Sequence, residues 1–222
     1  MNSSPVEAPL QISINRLHWP VATLGFGRRI GIWMQGCSIR CKGCCSLDTW
    51  ETGSNHATIE CVLDWILHRP LERVDGFTVS GGEPFDQPRA LQGLVRGLKN
   101  LSQTCPGERD TLVYSGRPWR RLLSDHADIL RDIDVVISEP YVRNRPPRGI
   151  AGSDNQRMHR LSTLGQQRYP EALSQAPVDD IQMHYDGRTL WLIGIPRPGR
   201  LDTLKERLDA AGITMESCSW LP

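Results

Sequence analysis

The sequence predicts an α/β fold built on a mainly parallel sheet and closed by a C-terminal ββα unit. Two patterns carry this expectation. Short apolar strands alternate with one-faced helices from Ile12 to Ile137, the mark of successive βαβ units. Near the end, two strand-like runs flank Asp186-Gly187, a strong hairpin signal, and one more helix follows.

Taken in order, Ile12 and Ile14 alternate with Ser13 and Asn15 as in a half-buried opening strand. Arg29 to Gln35 (RIGIWMQ) is a second strand that runs directly into a group of cysteines. From Thr58, the residues Ile59, Val62, Leu63, Ile66 and Leu67 fall on one helical face, with Pro70 just beyond. Phe77 to Ser80 is a short strand ending at Gly81-Gly82. Pro88 then suits the first turn of a helix that turns Leu91, Leu94, Val95, Leu98 and Leu101 inward. Thr111 to Tyr114 and Ile133 to Ile137 are further strands, separated by a helix from Pro118 to Leu130. Val142 to Gly152, with three Arg, two Pro and two Gly, is a long functional loop. Gly165 to Asp180 is polar and reads as a linker or lid. The hairpin strands are Ile181–Tyr185 and Thr189–Ile195, and the last helix is Leu201–Ala211.

Composition excludes more than it selects. Gly 20 and Pro 16 among 222 residues fall below the roughly 25–30% of low-complexity chains. A formal net charge of +1 gives no electrostatic case for nucleic acid or an anionic membrane. No run approaches the roughly 20 apolar residues of a membrane helix. The opening MNSSPVEAPL lacks the basic and apolar regions of a signal peptide, so a frayed leader and a cytoplasmic location are expected. Seven cysteines in a reducing compartment then point to chemistry or metal rather than disulfides.

Their spacing supports that. Cys37, Cys41, Cys44 and Cys45 crowd together, while Cys61, Cys105 and Cys218 are dispersed. Three thiolates in Cys-x3-Cys-x2-Cys reach one metal centre without long loop closure. A zinc site would need a fourth ligand, for which Cys45, His56 or Cys61 is available, yet no second ligand pair of the usual kind occurs. The other reading is an iron–sulfur cluster on three cysteines, where four is usual, leaving one iron open to a ligand that is not protein. Gly81-Gly82-Glu83-Pro84 between a strand and a helix allows close backbone approach and puts a carboxylate at the ligand-binding end of a parallel sheet. Gly25-Phe26-Gly27 fails as a dinucleotide fingerprint because Gly31 breaks the spacing. The six histidines form no ligand pattern. Cys61, beside an apolar helix face, is expected in the core, and Trp33 and Trp191 in packing.

Together these motifs resemble the radical S-adenosylmethionine enzymes, and more narrowly the activating proteins of anaerobic ribonucleoside-triphosphate reductase. Gly36 to Trp50 reads GCSIRCKGCCSLDTW against the family's G-C-x3-C-x-G-C-x4-T-W. Gly25-Phe26-Gly27-Arg28 stands for G-P-G-x-R, with the arginine at position 28 or 29. Ser80 to Pro84 matches S-G-G-[DE]-P, Tyr114-Ser115-Gly116 stands where T-G-Y is usual, and Gly152 to Gln156 where G-S-S-N-Q is usual.

The resemblance implies a partial (βα) barrel of the radical S-adenosylmethionine type over residues 12–164. A leader (1–11) would precede it, and a linker with a ββα extension packed on the barrel (165–222) would follow. It implies one 4Fe–4S cluster on Cys37, Cys41 and Cys44, with S-adenosyl-L-methionine on the open iron. Gly43 and Cys45 would face the adenine, and Ser80, Gly81, Gly82 and Glu83 the methionine end. Ser115 and Asn155 would line the pocket, with no catalytic side chain beyond cluster and cofactor. The implied activity is reductive cleavage to a 5′-deoxyadenosyl radical that activates a glycyl radical enzyme. An electron donor such as flavodoxin or ferredoxin would serve it. The alternatives are radical modification of another protein, peptide or small molecule, and, outside enzymes, an electron carrier or zinc-stabilised interaction module. The chain departs from the family in having Cys45-Ser46 where an aromatic residue and Asn are usual. The hairpin and last helix have no counterpart in the short activators. They are expected as an edge cap burying Met183, Trp191 and Ile193.

Overall fold

The computed structural model describes residues 9–171 and 181–221. Seven strands share one sheet: β1 (Gln11–Val21), β2 (Arg29–Met34), β3 (His56–Thr58), β4 (Gly76–Gly81), β5 (Asp110–Tyr114), β6 (Val135–Ser138) and β7 (Arg157–Arg160). Their spatial order is β3-β1-β2-β4-β5-β6-β7. The central four are parallel, with Ile30 beside Phe77, Val79 beside Val113 and Val113 beside Val136. β1, β3 and β7 run antiparallel to their neighbours and flank this parallel centre. The fold is therefore mixed α/β around a parallel centre. β3 and β7 are additions to the expected strands, too short and polar to announce themselves by periodicity.

Both faces of the parallel centre are covered, which explains its near-continuous apolar runs. On one face, α1 (Ile59–Leu67) and α2 (Pro88–Thr104) bury Ile66, Leu91, Leu94 and Leu98 with Phe77, Val79, Val113 and Val136. On the other, Leu112, Val135 and Ile137 pack with Ala151 and Tyr169. Thr58 caps α1, its hydroxyl accepting from the Cys61 amide. Cys61 itself is exposed, so the core role expected of it is corrected: position 61 lies outside the stripe of Ile59, Val62 and Ile66. The single helix expected over 118–130 is two, α3 (Trp119–Asp125) and α4 (Ala127–Leu130). His126 leaves helical geometry between them and sets its ring 5.0 Å from that of Phe85.

The expected linker is helical at its start. α5 (Thr163–Arg168) is capped by Ser162 and brings Tyr169 into the second core, while residues 172–180 of that stretch lie outside the described residues. Beyond it, β8 (Ile181–Tyr185) and β9 (Leu190–Gly194) form a separate two-stranded sheet, followed by α6 (Arg200–Ala210). The hairpin docks at the end of β1. Gln182 accepts from the Ala22 amide and donates to Pro20 O, and the Thr23 hydroxyl donates to Ile193 O at 2.9 Å. Ile193 is buried against Val21, Leu24 and Trp33, and Trp191 packs beside it. Met183 is 64% exposed, because it points away from this contact, so the expected burial holds for Ile193 and fails for Met183. Among the described residues, no helix is long and apolar enough to cross a membrane.

Candidate functional site

The cysteine loop leaves the carboxyl end of β2 and is closed at its base by main chain. Gly36 N donates to Thr49 O at 2.7 Å and Cys37 N to Trp50 O at 3.1 Å. The buried Gln35 side chain adds bonds to Asp48 O at 3.1 Å and Glu51 O at 2.8 Å. The glycine loop after β4 lies directly against it, with Gly82 N donating to Met34 O at 2.8 Å and Glu83 N to Gly36 O at 2.9 Å. This approach excludes larger residues: a Cβ on Gly82 would stand 2.0 Å from Gly36 O. Gly81 adds a φ of +99°, in the region that favours glycine.

Two carboxylates tie the surrounding loops together. Asp86 accepts from Ser38 N at 2.6 Å and Ser38 Oγ at 2.8 Å, and pairs with Arg117 at 2.6 Å. It thus links the cysteine loop to the loop after β5. Glu83, 1% exposed, accepts from Phe85 N, Ser115 Oγ and Gly116 N. Burial pushes its carboxyl up to about 7, against those donors.

Between these loops lies a cavity of about 480 Å³, within the usual size of a small-molecule site. It is lined by Cys37, Cys41, Gly43, Cys44 and Cys45 on one side and by Ser80, Gly81, Gly82, Glu83 and Ser115 on the other. All but one of the residues expected to hold the cluster and cofactor therefore meet in one place. The exception is Asn155, which is absent from this wall and donates instead to Pro140 O at 2.8 Å. Its neighbour Gln156 lines the cavity, accepting from Gly152 N at 2.8 Å and donating to Glu139 O at 3.0 Å. Trp50, which closes the cysteine motif, lines it too; Tyr141 and Arg143 also do, and carried no motif signal of their own. Nor did Asp86.

The three thiols of the spaced motif are half-buried. Burial raises the Cys41 thiol and pushes Cys44 up to about 11, so the metal-free chain holds both protonated at neutral pH. For Cys44 the opposing group is the Ser46 amide, 3.4 Å from the sulfur. Among the described residues, no three His, Cys, Asp or Glu side chains converge on a single metal ion; the thiols are arrayed along the cavity wall. Three thiols, a cavity beside them and a glycine cradle opposite fit a cluster with a small molecule at its side. An N–H donor near the Cys44 sulfur is a contact by which proteins tune cluster potential.

Thiols beside a small-molecule cavity, at the carboxyl ends of parallel strands, place the site where α/β enzymes bind their ligands. The chain belongs to the 4Fe-4S single cluster domain family, whose model matches residues 23–159. It is similar to the anaerobic ribonucleoside-triphosphate reductase-activating protein of Vibrio cholerae serotype O1, 26% identical over 151 residues, or 65% of this chain and 96% of the relative. It is also similar to the pyruvate formate-lyase-activating enzyme of Staphylococcus epidermidis, 33% identical over 129 residues, or 54% of this chain and 51% of that enzyme. Among solved structures, QueE from Escherichia coli aligns at a TM-score of 0.38 and 20% identity, over 48% of this chain and 52% of that one. The resemblance to radical S-adenosylmethionine activating enzymes is thereby borne out, and with it a 4Fe–4S cluster and S-adenosyl-L-methionine as cofactors.

Proposed function

We propose that the protein cleaves S-adenosylmethionine reductively at a 4Fe–4S cluster held by Cys37, Cys41 and Cys44, and activates a glycyl radical enzyme such as anaerobic ribonucleotide reductase. One observation carries the reading: the three thiols and the Gly81-Gly82-Glu83 cradle line the same cavity. The names of the relatives support the target class, since both are activating proteins.

When bound, cluster and cofactor together supply the cleavage of the sulfonium and the 5′-deoxyadenosyl radical; the protein supplies placement. Cys37, Cys41 and Cys44 would hold the iron as thiolates, their protons released to solvent. The peptide groups of Ser80 to Glu83, brought close because positions 81 and 82 lack side chains, would hold the amino-acid end of the cofactor. Glu83 holds Ser115 and Gly116 in position through hydrogen bonds, and Cys45 stays outside the ligand set. The sheet acts as a partial (βα) barrel over residues 12–164, the ββα extension of 165–222 packs on it, and a low-potential flavodoxin or ferredoxin serves as donor. We place the protein in the cytoplasm, with neither nucleic acid nor membrane as a partner.

Anaerobic reconstitution with iron and sulfide, followed by S-adenosylmethionine and a strong reductant, should yield 5′-deoxyadenosine. With a glycyl radical enzyme present, a protein-based glycyl signal should appear by electron paramagnetic resonance. Cys41→Ala should abolish both. A cluster that reduces without forming 5′-deoxyadenosine would overturn the proposal.

A further inference from the structure

The cavity has a wall that lies outside the family match, which ends at residue 159. Gly194 to Gly199, Leu201, Asp202, Trp220 and Leu221 all line it. The last of these are held in place by the cysteine loop itself. Leu47 N donates to Ser219 O at 2.6 Å, and Ser219 Oγ donates to Cys45 O at 3.2 Å. Trp220 follows directly. It borders both the main cavity and a smaller one between the hairpin and the cysteine loop, and its indole nitrogen is buried with no hydrogen-bond partner.

The cavity is chemically two-sided. One side is polar, with Ser80, Glu83, Ser115 and the peptide groups of the glycine loop. The other is richer in apolar and aromatic residues, with Leu24, Trp33, Ile195, Pro196, Pro198 and Trp220, and carries Arg197 and Asp202 as its charged groups. S-adenosylmethionine is two-sided in the same way, having a charged amino-acid end and a flat purine. A purine has apolar faces and polar edges, and an indole is the side chain that covers such a face best.

Resting on the cofactor reading above, we propose that Trp220 is an adenine-binding residue, clamped to the cysteine loop by Ser219, so that the C-terminal unit is part of the cofactor site. Pro196 and Pro198 complete this wall with little conformational freedom to lose on binding. The unit thus does more than cap an edge. It links the hairpin, docked at β1 through Gln182 and Ile193, to the loop that carries the thiols.

The test is S-adenosylmethionine binding to the reconstituted full chain with its cluster oxidised and no reductant, so that binding is read without turnover. Wild type, Trp220→Leu and Trp220→Phe are compared at equal iron content. Leu keeps an apolar side chain but no aromatic face, and should bind about fivefold to a hundredfold more weakly, the worth of one base–aromatic stack. Phe should stay within about threefold of wild type. Equal affinity in Leu and wild type would overturn the assignment while leaving the cofactor reading intact. A wild-type chain that carries a full cluster and binds no S-adenosylmethionine would overturn both.

Discussion

Arg29 and Asp110 meet at 2.8 Å with both side chains wholly buried, at the amino ends of the strands whose carboxyl ends form the cavity. The guanidinium also donates to Thr78 Oγ1, Phe26 O and Phe77 O, so it is held on every side. Asp110 receives Arg168 at 2.7 Å and the Tyr169 hydroxyl at 3.1 Å as well. Of the two arginines that follow Gly27, Arg29 is the buried one, and its work is structural. It joins β2, β4, β5 and the segment after β7 at the end of the sheet away from the chemistry.

Asp110→Asn should therefore cost about 3–5 kcal/mol, because it leaves a buried guanidinium without its countercharge. Burial opposes ionisation of Asp110, but Arg29 and Arg168 outweigh it and hold the carboxyl below its usual value. A depressed carboxylate contributes stability above its unfolded pKa and loses it as pH falls through the folded one. Urea unfolding across acid pH should show wild type losing its advantage over Asp110→Asn below about pH 4. A variant within 1 kcal/mol of wild type at pH 7 would contradict the role.

Glu83 should give the opposite slope. Its folded pKa, raised from 4.5 to about 7, contributes stability that is complete below the unfolded value and lost as pH rises toward 7. Between those limits the cofactor-free chain should lose up to about 3 kcal/mol relative to Glu83→Gln. The amide variant starts lower, since it puts an N–H where the carboxylate accepts, but its profile should be flat. Parallel profiles for the two chains would refute the assignment.

Asp86→Ala should loosen the cysteine loop without unfolding the sheet. It removes both Ser38 bonds and the Arg117 pair, one side of the loop's anchorage. Iron release to a chelator should be several-fold faster, with the melting temperature lowered by only a few degrees, as for about 1 kcal/mol. Unchanged release would mean that the base of the loop alone sets its rigidity.

Cys45→Ser should reconstitute to the same iron content as wild type, whereas Cys44→Ala should not. Both thiols border the cavity, but Cys44 is the more buried of the two and accepts from the Ser46 amide at 3.4 Å, whereas Cys45 is exposed. Iron loss in Cys45→Ser would make it a fourth ligand and close the site to a small molecule.

Much of the parallel centre was legible in the sequence because strands covered on both faces must be apolar throughout. β2 and β4 through β6 stand out for that reason. The cysteine and glycine loops were legible because their chemistry needs particular residues at particular spacings. The flanking strands were not: His56–Thr58 and Arg157–Arg160 owe their conformation to neighbours already in place. Asp86 and Trp220 were equally silent. Each acts through a partner remote in sequence, Ser38 for one and the cysteine loop for the other, and no local pattern records such a meeting.

Closure at the base has a consequence for how the metal is acquired. The segment from Cys37 to Asp48 leaves and rejoins the sheet through Gly36, Thr49 and Trp50, with the Gln35 amide bracing the junction. Its ends are fixed by peptide hydrogen bonds rather than by iron, so the entropy of closing it is already spent before any metal arrives. In zinc fingers, ligand binding and folding are one event. Here they are separable: a chelator should leave a folded chain that takes iron and sulfide up again, and assembly becomes a late loading step on a finished protein.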